Sequence, residues 1–120
     1  MSTLSSDVRA SAKEVVAIRR DLHRHPEQGF KEHRTAALIR ARLKAAGVEH
    51  RPMAGTGTVA LVRGAKPGPT ILYRADMDAL PLLELNKVPY ASENKGVMHA
   101  CGHDGHVAMS LVAAKLLQKR

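Results

Sequence analysis

Two short apolar runs rich in β-branched residues, GTVALVRG (57–64) and PTILYRAD (69–76), lie mid-chain, bounded by glycine or proline and joined by GAKPGP. Val, Ile and Thr are stiff at χ1 and fit a pleated surface, so both runs are expected as strands, neighbours in one sheet. The flanking segments carry a different period. Val8, Ala12, Val15, Ile18 and Leu22 recur at helical spacing behind a cap at Ser6 or Asp7, and Pro26 forces a stop soon after His25. TAALIRARLKAA, Thr35 to Ala46, places Leu38, Ile39, Arg42 and Leu43 at the same period and ends at Gly47, the expected C-terminal punctuation. From Asp104, with Asp104 or Gly102 near its start, GHVAMSLVAAKLLQKR closes the chain as a third helix. Helices packed on such strands make an α/β domain.

A chain of 120 residues buries roughly two-thirds of its unfolded surface, enough for a core. Phe30, Tyr73 and Tyr90 are the only aromatics, so that core is built from Ala, Val, Leu, Ile and Met. The formal charge of +8 raises the question of a nucleic-acid partner. Its distribution argues against one: Arg19, Arg20, Arg24, Lys31, Arg34, Arg40, Arg42 and Lys44 are spread over helical segments and interleaved with Glu14, Asp21, Glu27 and Glu32. Few aromatics exist to stack on bases. A solvated helix face accounts for the pattern, and the excess also suits an acidic remainder of a larger protein. No apolar run reaches bilayer length and MSTLSSDVRASAKE lacks a signal-peptide h-region, so no membrane partner and a cytoplasmic location are expected. The single cysteine cannot form an internal disulfide, which fits a reducing compartment.

The chemistry concentrates in two places. Asp76 and Asp78 follow TILY, where the carboxyl end of a strand opens into a ligand-binding crevice; acids at i and i+2 of extended chain point the same way and require a cation or donors opposite. The alternative is a turn cap, or a pair with Arg74. GVMHACGHDGHVAMS (96–110) holds His99, Cys101, His103, Asp104 and His106. A thiolate and an imidazole separated by one glycine can face one ion, and Zn²⁺ accepts mixed sulfur and nitrogen ligation. No second ligand pair is present, which argues against a structural zinc finger. Two other readings stay open: Cys101 as a nucleophile with His99, His103 or His106 as its base, and a polar loop whose cysteine is a small buried hydrophobe.

Taken in order, LHRHPEQGFKEHRTAALI, ILYRADMDALPL and PYASENKGVMHACGHDGH resemble the N-terminal part of the metal-dependent amidohydrolases and metallopeptidases related to hippurate hydrolase, auxin-conjugate hydrolases and N-acyl-amino-acid deacylases. The resemblance implies a partial three-layer zinc-peptidase-like catalytic domain over residues 1–120, helices on a mixed sheet, with the lid or dimerisation domain absent. It implies Cys101 and His103 as metal ligands, the thiolate bridging two ions (Zn²⁺, Mn²⁺ or Co²⁺), and Asp78 as the catalytic acid that orients a metal-bound ligand or the base. Asp76 shares that motif without an assigned role. His23 and His25, before Pro26 and Glu27, match a helix-ending motif and are expected to be structural. Asp104 is expected to cap the last helix while hydrogen-bonding a ligand histidine, and His106 to be a loop contact.

The implied reaction is metal-assisted cleavage of an amide in an N-acyl amino acid or short peptide, by a likewise implied homo-oligomer. The glutamate base and further ligands of such enzymes lie beyond Arg120, so the chain reads as an N-terminal fragment, inactive alone. The alternatives are a metal-binding or interaction remnant that pairs with another chain, and a basic nucleic-acid module.

Overall fold

The computed structural model describes residues 4–120. Its elements run α1 (Ser6–Ala10), α2 (Ala12–Arg24), α3 (His33–Ala45), β1 (Glu49–Met53), β2 (Gly57–Leu61) and α4 (His103–Gln118). The class is α/β, with the sheet of this chain a two-stranded antiparallel hairpin. The single N-terminal helix expected from the spacing is interrupted at Ser11, whose hydroxyl donates to the Asp7 carbonyl, 2.9 Å away. Such back-bonding competes with the helical ladder and favours a break.

The stop after α2 occurs where proline demands it. His25 adopts φ −122° and ψ 60°, outside the helical region, ahead of Pro26. The chain then turns through Gln28–Lys31, and Glu27 reaches forward to cap α3. Its carboxylate accepts the backbone N–H of Arg34 (2.9 Å) and of Thr35 (2.7 Å), with the Thr35 hydroxyl as a third donor (2.7 Å). Burial works against ionising Glu27, yet these donors outweigh it and hold the carboxyl below its ordinary range. Ile18 and Leu22 of α2, Leu43 of α3, Val48, and Val107, Ala108, Leu111 and Val112 of α4 form one aliphatic core. Each large side chain buried there contributes about 1.5–3 kcal/mol.

Two expectations about strands need correction. Residues 57–61 pair with Glu49–Met53, not with 69–76, in a register that sets Pro52 opposite Thr58 and Met53 opposite Gly57. Pro52 disguises β1, since proline survives in a strand only where no donor is needed, as on an edge. The connecting turn places Ala54 (φ 51°) and Gly55 (φ 79°) in the left-handed region. A Cβ on Gly57 would lie 2.7 Å from the Met53 carbonyl oxygen, so the turn closes only on glycine. Residues 69–76 form no strand. A β-branched run becomes a strand only beside a neighbour, and no backbone hydrogen bond links 66–77 to any other segment among the described residues.

Order resumes at Ala79, whose N–H donates to the Glu27 carbonyl (2.8 Å), while Leu80 and Met98 exchange two backbone bonds (2.9 and 3.0 Å). These single bridges, Gln28 with Ala79 and Leu80 with Met98, fix the chain just after Asp78 and shortly before Cys101. No helix of the described residues is long and apolar enough to cross a membrane.

Candidate metal centre

Gly102 stands immediately before α4 with φ 81° and ψ 15°. The left-handed conformation costs an L-residue roughly 1–2 kcal/mol, and the space around Gly102 is open, so backbone angle rather than crowding favours glycine there. This turn sets Cys101 outside the helix, exposed and free, and His103 at its first position, mostly buried.

His103 is held from the opposite side by Asp78. Its Nδ1 lies 2.9 Å from Asp78 Oδ1 and 3.1 Å from the Asp78 carbonyl oxygen. Both partners are acceptors, so Nδ1 carries a proton and donates, and Nε2 is the ring nitrogen left to face a ligand. Nε2 is 3.9 Å from Asp76 Oδ2. Asp76 also pairs with Arg74, one of the arrangements expected for it. The structure thus brings Asp76, Asp78 and His103 together, with Cys101 two residues before His103 in the chain.

A carboxylate that fixes the tautomer of an imidazole is the usual support for a histidine metal ligand, and thiolate with imidazole is a donor set that suits Zn²⁺ and its borderline neighbours. That much fits a divalent ion. Among the described residues, however, no group of three or more His, Cys, Asp or Glu side chains is gathered as a cage. Cys101 and His103 would leave the remaining positions to other donors.

Asp104 departs from expectation. No side chain caps α4, whose N-cap is Gly102, and Asp104 does not touch His103. Its Oδ1 accepts the Gly105 N–H (2.9 Å), while Oδ2 accepts from Arg19 Nε (3.0 Å) and meets His23 Nδ1 at 2.7 Å. Residues one apart at a helix N-terminus point about 100° apart, so if His103 faces Asp78, Asp104 faces α2. His23 Nε2 meets Glu84 Oε1 at 3.1 Å. Glu84 also accepts from Ser92 N–H (2.6 Å) and Asn86 (3.1 Å). Burial opposes its charge, but these donors and His23 prevail and lower its pKa.

This Asp104–His23–Glu84 bridge was not anticipated. A partial signal exists, since Arg19 and His23 are four apart and share one face of α2; nothing local marks Glu84 as the third member. His25 donates its Nδ1–H to the Asp21 carbonyl oxygen of its own helix, 2.9 Å away. His106 is exposed, its ring 5.7 Å from that of His103. His99 is buried, with both ring nitrogens unpartnered among the described residues. Burial above all, against the pull of Asp104, holds its pKa below the ordinary value.

Residues 72–120 match the model of Peptidase family M20/M25/M40. The chain is 48% identical over 118 residues, 97% of its own length and 30% of the relative's, to Thermostable carboxypeptidase 1 of Saccharolobus solfataricus. It is 49% identical over 108 residues, 89% of its length and 26% of the relative's, to N-acetyl-L-cysteine deacetylase of Bacillus subtilis. Among solved structures, the Bacillus subtilis YXEP protein, described as a dinuclear metal binding peptidase from the M20 family, superposes with a TM-score of 0.88 at 42% identity, covering 93% of this chain and 32% of that one. The chain therefore spans about 30% of the length of the curated relatives it matches. The family match over residues 72–120, the 48% identity to the carboxypeptidase and the superposition agree in making this chain similar, over about 30% of their length, to members of Peptidase family M20/M25/M40.

Proposed function

We propose that residues 1–120 are the N-terminal portion of the catalytic domain of a metal-dependent amidohydrolase that cleaves N-acyl amino acids or short peptides. The observation that carries the reading is the Asp78–His103 hydrogen bond, which turns Nε2 of His103 away from Asp78 and leaves it for a ligand, two residues along the chain from the exposed thiol of Cys101. Cys101 and His103 hold a divalent ion of the Zn²⁺, Mn²⁺ or Co²⁺ class, one of two in the assembled site. When bound, such ions polarise a scissile carbonyl and acidify water.

The residues of this chain act on position and charge. Asp78 holds the Nδ1 proton of His103 and increases the basicity of the opposite nitrogen, while Gly102 sets the angle between thiol and imidazole. In this reading the base that moves a proton from water to the leaving amine is not among these residues: Glu27, Glu32 and Glu84 are engaged in internal hydrogen bonds, and Glu14, Glu49 and Glu93 pair with Lys115, Arg63 and Arg24. The setting is cytoplasmic, where Cys101 stays a thiol, and the assembled enzyme is a homo-oligomer.

Metal titration of the purified chain tests the reading. Co²⁺ is expected to bind weakly with a thiolate charge-transfer band, lost in Cys101→Ala and strongly weakened in His103→Ala, and hippurate is expected to be hydrolysed no faster than in metal-only controls. Identical Co²⁺ binding in both variants would overturn the ligand assignment. Turnover abolished by Cys101→Ala would show that a base lies within these residues.

A further inference from the structure

His23 lies between two carboxylates, Nδ1 2.7 Å from Asp104 Oδ2 and Nε2 3.1 Å from Glu84 Oε1, and all three side chains are nearly closed to solvent. An ionised carboxylate accepts hydrogen bonds and cannot donate them. Glu84 is held in that form, since the Ser92 N–H (2.6 Å) and the Asn86 side chain (3.1 Å) also donate to it and its pKa lies below the ordinary value in spite of burial. The oxygens of Asp104 likewise serve as acceptors, for the Gly105 N–H and for Arg19 Nε. Each ring nitrogen of His23 therefore has to donate, which takes both protons. A ring with one proton would turn a lone pair on one of the carboxylates, in a place where little water is present to screen the repulsion.

We propose that His23 is a doubly protonated imidazolium that acts as a positioning residue, its charge locking the loop 84–97 onto α2 and α4 and so fixing the path of the chain into Cys101. Glu84 and Ser92 close the neck of that loop, and the Ser92 hydroxyl donates to the Val97 carbonyl, 2.7 Å away. Val97 leads into Met98, which is bridged to Leu80, and Cys101 follows three residues later. The far side of the loop is pinned to the end of α2 by neutral bonds, Glu93 N–H to the Arg24 carbonyl (2.8 Å) and Asn94 Nδ2 to the Pro26 carbonyl (3.1 Å). The groups around the His23 ring are Asp104 from α4, Arg19 from α2, Glu84 and Tyr90 from the loop, with Tyr90 edge-on at 5.8 Å, and the His99 ring at 6.4 Å. Arg19 and Arg20 lie over the Tyr90 ring. Two buried carboxylates thus share one partly exposed guanidinium, and the second proton of His23 balances the charge. The sign follows: the lock is complete while the ring holds both protons and is lost as pH rises and the ring gives one up. The inference goes beyond the amidohydrolase reading and does not rest on it, because none of these contacts involves Cys101 or His103.

The test is nitrogen-15 NMR of the histidine rings of the full chain without metal, combined with amide hydrogen exchange. At neutral pH both ring nitrogens of His23 are expected to carry the imidazolium signature. Raising the pH until that signature is lost should speed exchange at the Ser92 and Met98 amides about a hundredfold beyond the intrinsic effect of base, the scale of removing one partner from a buried ionic network. The amides of the β1–β2 hairpin, which touch none of these groups, should show the intrinsic effect alone. Glu84→Gln supplies a second arm: it leaves an oxygen for the ring but removes a charge, so His23 should give up its proton at a lower pH than in the parent. A ring with a single proton at neutral pH would overturn the proposal. So would loop exchange that ignores the state of the ring, or a ring titration unchanged by Glu84→Gln.

Discussion

Two aspartate–histidine pairs flank the first turn of α4, and they differ in what the second ring nitrogen of each histidine meets. In Asp104–His23 the side chains are 0% and 5% exposed, and the far nitrogen of His23 is occupied by Glu84. In Asp78–His103 they are 38% and 15% exposed, and the far nitrogen of His103 has only Asp76 at 3.9 Å. The chemistry of the near contact is the same. The first pair is closed, tying α2, α4 and the segment before Tyr90 into one unit, whereas the second is open and can accept a ligand. An imidazole between two carboxylates is a structural strut; one held by a single carboxylate is a positioned donor.

The largest effect should come from breaking the closed pair. Asp104→Ala leaves the buried His23 and the Arg19 guanidinium without their shared acceptor, and removing one member of a buried ionic network costs about 3 kcal/mol or more. Asp78→Ala, at a half-open position, should cost under about 1 kcal/mol. Urea unfolding of the two variants checks the ordering, and equal losses would erase the distinction between strut and positioned donor.

Next in size is Gly102→Ala. The substitution forces alanine to φ 81° and should destabilise the chain by about 1–2 kcal/mol. It sharpens the comparison because the turn sits between the pairs: Co²⁺ affinity should fall with it, while the His23 ring environment, read by NMR, should stay in place.

A smaller effect lies in pH. Glu84 has a folded pKa below its unfolded value of 4.5, so its contribution to stability is complete above that value and is lost as pH falls from about 4.5 through the folded pKa. Glu27 has the same sign. Urea midpoints between pH 6 and pH 3 should decline for the parent and less steeply for Glu84→Gln. An identical slope would detach Glu84 from the strut.

The legible parts of the molecule were those written locally. Helical period and Pro26 marked α2 and α3 to within a few residues, and Cys101 and His103 stood out because both ligand candidates fall in one turn. The α/β class and the family resemblance followed from motifs in order. What failed was non-local. PTILYRAD has strand composition, but composition cannot supply the neighbour that makes a ladder, and β1 was hidden by Pro52. Asp104 was assigned to the wrong histidine because its true partner, His23, lies 81 positions away on another helix. Nothing in the sequence around Glu84 marks it as the far anchor, since its role depends on the loop to Ser92 folding back over His23.

The direct test of the open pair is nitrogen-15 NMR of the histidine rings, with and without Zn²⁺. His103 should be the Nδ1–H tautomer, its bare Nε2 shifting strongly on addition of metal, and Asp78→Asn should weaken that response while His23 stays unmoved in both. A proton found on Nε2 of His103, or a metal-induced shift at His23 in its place, would contradict the assignment of one pair to structure and the other to ligation.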